Sequence, residues 1–337
     1  MTESMTFPQK HFLITIDTEG DNLWARPNSI TTNNSKFIPR FQTLCERYHF
    51  KPTYLVNYEM AMCADFQRFA HQVLKQNTGE IGMHLHAWNS PPAFNLTGDD
   101  YFHQPFLIEY PEQVMSDKIQ YITEILRDTF HGHIVSHRAG RWAIDSNYVR
   151  CLRENGYKID CSITPFVSWE QTLGNPNGKG GPDYSNFPST PYLLDLQPSL
   201  RNGNTPILEI PMTIMTTVSH LLLKPFQNRR YQLLARRLMN RIWPPLVWLR
   251  PNGDNLRQMK WLVRKAIDES RNYIMFMLHS SELMPGGSQR FDTPEKIEKL
   301  FSDMKSLFSM IATTFEGATL SEYRDVVRLK NRELPKI

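Results

Sequence analysis

Residues 80–88 read EIGMHLHAW, and the rest of the chain is organised around them. An apolar lead-in of Ile81, Gly82 and Met83 runs into His84 and His86, which are separated by one residue. In a β-strand, side chains at i and i+2 point to the same face, about 6–7 Å apart along the strand. Two imidazoles so placed at a strand end are positioned to share a divalent metal. The plainer alternative is a pair of surface histidines beside a turn, since Asn89, Ser90, Pro91 and Pro92 follow. The polar clusters elsewhere in the chain weigh on that choice.

The chain has 337 residues, of which 40% are hydrophobic and 21% charged, an ordinary globular composition. That length fits one large domain or two, and all-parallel α/β barrels reach it as one. A net charge of +4 and a pI of about 8.8 are too mild to argue for nucleic acid. Cys45, Cys63, Cys151 and Cys161 form no CxxC pair, so reduced thiols are expected. The N-terminal MTESMTFPQKHF carries an acid and no apolar core of a signal peptide. No apolar run approaches the roughly 18–20 residues that span a bilayer. A cytoplasmic protein is the expectation.

Outward from the histidine pair, short apolar runs alternate with helical patterns. FLITI (12–16) is a buried strand that delivers Asp17 and Glu19 to its C-terminal end. A helical pattern over 36–49 precedes the strand TYLVN (53–57), and a helix over 65–76 leads to the histidine-bearing strand. A loop covers 89–110, and Pro111 and Glu112 open a helix with an apolar stripe. The strand HIVS (133–136) ends in His137, Arg138, Ala139, Gly140, Arg141 and Trp142, and Asp145 is placed to cap the next helix. A strand around 157–164 follows. Residues 168–205 then form a long loop rich in Gly, Pro and Asn, of the kind that carries function. The strand ILEIPM (207–212), a helix near 255–270, the strand YIMFML (273–278) and a helix over 294–315 complete the pattern. Such alternation predicts a parallel sheet, most simply a closed barrel, with the polar clusters at 17–20, 84–86, 137–142 and 279–282 meeting on one rim.

Gathered there, one carboxylate and two histidines make a three-ligand site with an open position, as in hydrolytic metal centres. The remaining carboxylate can act as general base, Arg138 can pair with it, and His279 can protonate a leaving group. That is the equipment for hydrolysis of an amide or ester. Taken singly, Asp17 and Glu19 read as a turn acid and a capping acid, His279 as a core histidine, and Arg138 as a surface ion pair. Four such features falling independently at strand ends is less expected than one shared site. His11, His49, His71, His103, His131, His133 and His220 are assigned to structure or solvent; His137 should face away from Arg138 on its strand.

In order along the chain, TIDTE (15–19), EIGMHLHAW (80–88), SHRAGRW (136–142), DCSITP (160–165), EIPMT (209–213) and LHSSELMPGGS (278–288) resemble the NodB-like polysaccharide deacetylases, carbohydrate esterase family 4. The resemblance is strongest to a branch carrying HSSELMPGGS, associated with surface-polysaccharide biosynthesis, and it covers roughly residues 11–323. It implies a distorted (β/α) barrel spanning 11–323, between an N-terminal tail (1–10) and a C-terminal tail (324–337). The implied activity is metal-dependent removal of an N-acetyl or other acyl group from a sugar. Asp17 matches the catalytic base, Arg138 the arginine that holds it, and His279 the catalytic acid. Glu19, His84 and His86 take the metal-binding places, with zinc the expected ion. Asp160 or Glu209 is expected to orient His279 or Arg138. Two departures stand out: Thr18 separates the acids, and Trp88 occupies the place, four residues after His84, of the usual second histidine. They support a rival reading, a catalytically idle barrel that binds a glycan or a biosynthetic partner. A metal-free amide hydrolase of related fold is a third.

Trp24, Trp88, Trp142, Arg141 and the 168–205 loop are candidates for lining the sugar site, with core packing an equal alternative for each tryptophan. Residues 224–265 hold eleven Lys and Arg against Asp254 alone, interleaved with leucines and aromatics. A solvated helical pair packed on the barrel is one reading. The other is a cationic insertion resting on an anionic membrane at the inner face, suited to a sugar carried on a lipid or a nucleotide.

Overall fold

In a computed structural model, the described residues are 9–194, 206–217, 244–329 and 334–337. The apolar runs become strands β1 (His11–Thr18), β2 (Pro52–Val56), β3 (Glu80–Leu85), β4 (Ser136–Ala139), β5 (Ile159–Asp160), β6 (Tyr192–Leu194), β7 (Ile207–Glu209), β8 (Ile214–Thr216), β9 (Leu246–Trp248), β10 (Tyr273–His279) and β11 (Glu316–Ala318). The main sheet runs β10-β1-β2-β3-β4-β5-β7-β6, with β11 also on β1. Every pairing in it is parallel except β6 with β7. Parallel strands need crossovers, and helices supply them: Ile38–Glu46, Ala64–Gln76, Glu112–Phe130, Ser146–Glu154, Leu256–Asp268 and Pro294–Ile311, while Leu320–Leu329 follows the last strand. The fold is a distorted (β/α) barrel, as expected.

A regular closure is absent among the described residues, which corrects the simplest expectation of a fully closed barrel. β8 and β9 instead form a separate antiparallel pair against the open side. Met275 N donates to Thr213 Oγ1 (2.8 Å) and Met277 N to Leu249 O (3.2 Å), stitching this pair to β10. Residues from 246 onward in the expected basic insertion are therefore barrel wall. The helix Leu256–Asp268 buries Met259, Leu262, Val263 and Ala266, so its apolar stripe is spent on the core. Residues 224–243, which carry most of the arginines of that stretch, lie outside the described residues.

β10 is apolar from Tyr273 to Leu278 because both of its faces are covered there. Phe276 packs outward on Phe308, with ring centroids 5.4 Å apart, and Phe12 and Phe50 join the same cluster. Each such side chain contributes roughly 1.5–3 kcal/mol by leaving water. Asp145 caps its helix as expected, its carboxylate accepting from Tyr148 N. The fourth strand starts later than expected, at Ser136, which puts His137 and Arg138 inside the ladder; the strand expected over 157–164 shrinks to Ile159–Asp160. No helix among the described residues is long and apolar enough to cross a membrane.

Candidate functional site

Strand alternation decides which side chains enter the barrel mouth. On β1, Thr15 and Asp17 point inward and Glu19 follows one step past the strand, while Thr18 turns away and donates its hydroxyl to Ile16 O. The intervening threonine therefore keeps both acids on one face. On β3, His84 and then His86 do the same. On β4, Arg138 points in and His137 points out, where it pairs with Asp160 (2.6 Å) and Tyr148 (3.0 Å). The register sets Asp17 beside His279 and His84 beside Arg138.

Glu19, His84 and His86 converge, with one donor atom from each lying within 4.8 Å of the other two, all buried. His84 Nε2 is 3.1 Å from His86 Nε2 and 3.8 Å from Glu19 Oε2, and His86 Nε2 is 3.1 Å from the same carboxylate oxygen. His84 Nδ1 lies 2.9 Å from Arg138 O. A carbonyl only accepts, so Nδ1 carries the hydrogen and Nε2 is left as a bare lone pair aimed at the other two donors. Burial, against the pull of Asp17, pushes the His84 pKa down to about 4, so the ring is neutral near pH 7. Burial works to raise Glu19, but His279, His86 and His84 outweigh it and hold the carboxyl ionised. Two imidazoles and one carboxylate, closely grouped and buried, fit a divalent cation of the zinc type. His86 is less well braced: its Nδ1 is buried and has no hydrogen-bond partner among the described residues.

Asp17 and Arg138 sit directly behind this cluster. Arg138 Nη1 donates to Asp17 Oδ1 at 2.6 Å; its other nitrogens reach Thr15 Oγ1 (2.8 Å) and Cys161 O (3.2 Å). Burial alone would raise the Asp17 pKa, but Arg138, His84 and His279 hold it well below the usual carboxylate range. Asp17 Oδ2 remains on the side of that cluster, 4.0 Å from His84 Nε2 and 3.9 Å from His279 Nε2. His279 Nε2 is also 3.8 Å from Glu19 Oε1. Burial lowers the His279 pKa and Arg250 opposes protonation too, yet Glu19 and Glu282 prevail and the net shift is upward.

All six residues expected to carry the chemistry are thus brought together: Asp17, Glu19, His84, His86, Arg138 and His279. The expected supporting residues are not where they were placed. Asp160 is committed to His137, and Glu209 accepts from Ile163 N, its carboxyl pKa pushed up by burial and by the neighbouring Asp160. The groups that hold the His279 ring are instead Glu282 and Arg250. His279 N donates to Glu282 Oε2 (2.9 Å), and Arg250 Nη2 lies 2.9 Å from His279 Nδ1. Glu282 sits three residues after His279 in a single 3-10 turn (Ser280–Leu283), a spacing visible in HSSEL. Arg250 gives no such signal, since it lies within a stretch whose pattern is basic residues interleaved with leucines and aromatics.

The expected sugar-lining residues divide. Trp24 is 41% exposed, donates to Glu19 Oε1 (3.2 Å) and meets the His86 ring edge-on. Trp88 is half-buried against His86. Trp142 is buried, with the Arg138 guanidinium 4.8 Å from its ring, so it roofs the ion pair instead of offering an open face. Arg141 stacks on Phe106 and donates to Gln104 O and Leu173 O, tying two loops together. Both Arg141 and Trp142 have positive φ (57° and 65°), which swings their side chains out of the alternation that β4 would have imposed.

No protein-family profile matches this chain, and no curated protein does. Solved structures do resemble it. A protein from Mycobacterium smegmatis assigned as a polysaccharide deacetylase superposes with a TM-score of 0.50 at 11% identity, covering 100% of this chain and 96% of its own. The 4-alpha-glucanotransferase of Thermococcus litoralis superposes with a TM-score of 0.51 at 12% identity over 97% of this chain, which spans 41% of that larger enzyme. The Xyl-CE4 domain of a multidomain xylanase from the hindgut metagenome of Trinervitermes trinervoides gives a TM-score of 0.45 at 9% identity, covering 97% and 93% of the two chains. At these identities the common feature is the fold, a curled (β/α) barrel of the polysaccharide-deacetylase type.

Proposed function

We propose that this protein is a metal-dependent hydrolase that removes an N-acetyl or other acyl group from a sugar or glycan. The observation that carries the proposal is the meeting of Glu19, His84 and His86 within 4.8 Å, flanked on either side by the Asp17–Arg138 pair and His279. Glu19, His84 and His86 would hold the ion, zinc by its liking for this donor set. When bound, the ion polarises the acyl carbonyl and makes a neighbouring water acidic.

The chain's own groups then divide the proton work. Asp17, with Oδ1 engaged by Arg138, takes the water's proton at Oδ2, and Arg138 keeps it ionised until that moment. His279 presents Nε2 to the same space and supplies the proton that the departing amine needs. Arg138 also presents its backbone carbonyl to His84, so one residue orders both the base and a ligand. The motif resemblance supports a glycan intermediate of surface-polysaccharide biosynthesis as substrate; the basic residues of 224–265 support a sugar carried on a lipid or a nucleotide, handled in the cytoplasm.

The test is release of acetate from N-acetylated oligosaccharides by purified protein of known metal content. Activity that follows added zinc and disappears in His84→Ala supports the proposal. Full activity after rigorous chelation would overturn it in favour of a metal-free amide hydrolase, and a metal-poor, inactive chain would favour the idle barrel.

A further inference from the structure

We infer that Arg250 is a positioning residue for His279, fixing which of its ring nitrogens carries the hydrogen. The imidazole Nδ1 has two neighbours of opposite kind. Arg250 Nη2 stands at 2.9 Å and Glu282 Oε2 at 3.5 Å. A guanidinium has five N–H donors and no acceptor, and it does not give up its charge in a protein. The shorter contact is therefore met only when Nδ1 is a bare acceptor. In the neutral ring the hydrogen then sits on Nε2, the atom that faces Asp17 Oδ2 and Glu19 Oε1. Without Arg250, Glu282 Oε2 would be the strongest partner left for Nδ1, and it would draw the hydrogen to that side of the ring.

The rest of the geometry serves the same end. Glu282 Oε1 accepts from Arg250 Nη2 at 3.3 Å while its Oε2 accepts from His279 N at 2.9 Å. The carboxylate thus anchors the guanidinium and the backbone of the residue it acts on. Burial works to raise the Glu282 pKa, but Arg250 and His279 bring it down to about 2, so this anchor stays charged at any working pH. Asn255 Nδ2 donates to Arg250 O (2.8 Å), holding the arginine's own backbone at the start of the helix Leu256–Asp268. Arg250 reaches the site only because β9 and the residues after it pack against β10; a segment with no place in the strand-end motifs supplies the control on the catalytic imidazole. About a third of the Arg250 side chain is exposed, towards a cavity of about 730 Å³ that it lines with Trp248, Gln258 and Arg290. Truncating it therefore leaves no sealed void behind.

The ring state is independent of the deacetylase reading; only its catalytic consequence rests on that reading. The test uses the full chain stripped of metal, labelled with nitrogen-15 in the histidine rings and read by long-range proton–nitrogen spectra at alkaline pH, where the ring is neutral. His279 is assigned from the signal lost in His279→Gln. The expected result is the Nε2–H tautomer in the native chain, a shift towards Nδ1–H in Arg250→Ala, and recovery of Nε2–H in Arg250→Lys, which restores a donor without the fork. A native Nδ1–H tautomer, or one unchanged in Arg250→Ala, overturns the inference. The native spectrum alone decides the first point even if a variant fails to fold. In the zinc-loaded enzyme, Arg250→Ala should change kcat with KM unchanged; a change in KM alone would mean that Arg250 binds substrate and does not position His279.

Discussion

Arg138 Nη1 lies 2.6 Å from Asp17 Oδ1, and neither side chain is more than 3% exposed. The pair joins the middle of β4 to the end of β1 across the barrel mouth, and the same arginine reaches Thr15, Cys161 O and Met275 Sδ. A buried charge without its partner is expensive, commonly about 3–5 kcal/mol, while a buried pair as a whole contributes little net stability. Arg138→Met should therefore lower the unfolding free energy by about 3–5 kcal/mol in urea titration. The double variant Arg138→Met, Asp17→Leu should regain most of that loss and none of the activity. Equal instability of the single and double variants would show that the guanidinium matters as packing, not as a counter-charge.

The two histidines of the candidate metal centre differ in what braces them. His84 Nδ1 is fixed by Arg138 O at 2.9 Å, whereas His86 Nδ1 is buried with no partner among the described residues. Groups that orient a ligand histidine commonly matter about 10–100-fold in metal affinity. Zinc affinity by competition titration should thus fall at least about tenfold further in His84→Ala than in His86→Ala. Chelation should lower the Tm of the native chain and leave that of His84→Ala unchanged, because only a chain that binds the ion gains stability from it.

Local spacing made much of this site legible, because strand alternation is a local rule. Asp17 and Glu19, like His84 and His86, are two residues apart, and each pair could be placed on one face before any tertiary structure was known. The same rule separated Arg138 from His137. It failed at Arg141 and Trp142, two consecutive left-handed residues just past the strand end at Ala139 that redirect both side chains. It also could not assign Asp160, whose partner depends on which neighbour faces outward from β4. Arg250 was out of reach for another reason: its contact with His279 arises from an irregular segment filling the gap in the barrel, and no periodic pattern encodes that.

Gly140 is required by close approach. A Cβ there would stand 2.4 Å from Leu85 O and 2.6 Å from His86 Nδ1, one of them backbone of β3. Backbone in a ladder does not yield, so the strain falls on the His86 ring. Gly140→Ala should cost about 1–3 kcal/mol, the range of overpacked sites, and weaken zinc binding as well. Gly98→Ala is the control, with nothing within 4 Å of its added carbon, and it should change neither quantity. Unaltered zinc binding in Gly140→Ala would show that His86 contributes little to holding the ion.

Lys118 supplies a pH dependence that is separable from the chemistry. It is 1% exposed in the helix Glu112–Phe130, and its ammonium donates to Ser90 O (2.5 Å) and Pro92 O (2.6 Å), pinning the loop that follows the histidine pair. Burial, only partly offset by Asp100, pushes its pKa down to about 8, against roughly 10.4 in an unfolded chain. Below pH 8 both states hold the proton and the cost of burying the charge is present in full. Between about pH 8 and 10.4 the unfolded chain binds more protons than the folded one, so this residue makes stability rise with pH. Above that window both forms are neutral and the penalty is gone. The rise amounts to at most roughly 3 kcal/mol. In Lys118→Met the rise should vanish, so that denaturation curves of native and variant chains differ by an amount that changes steadily across the window. A constant difference from pH 7 to 10.5 would mean that the folded lysine titrates like a free one.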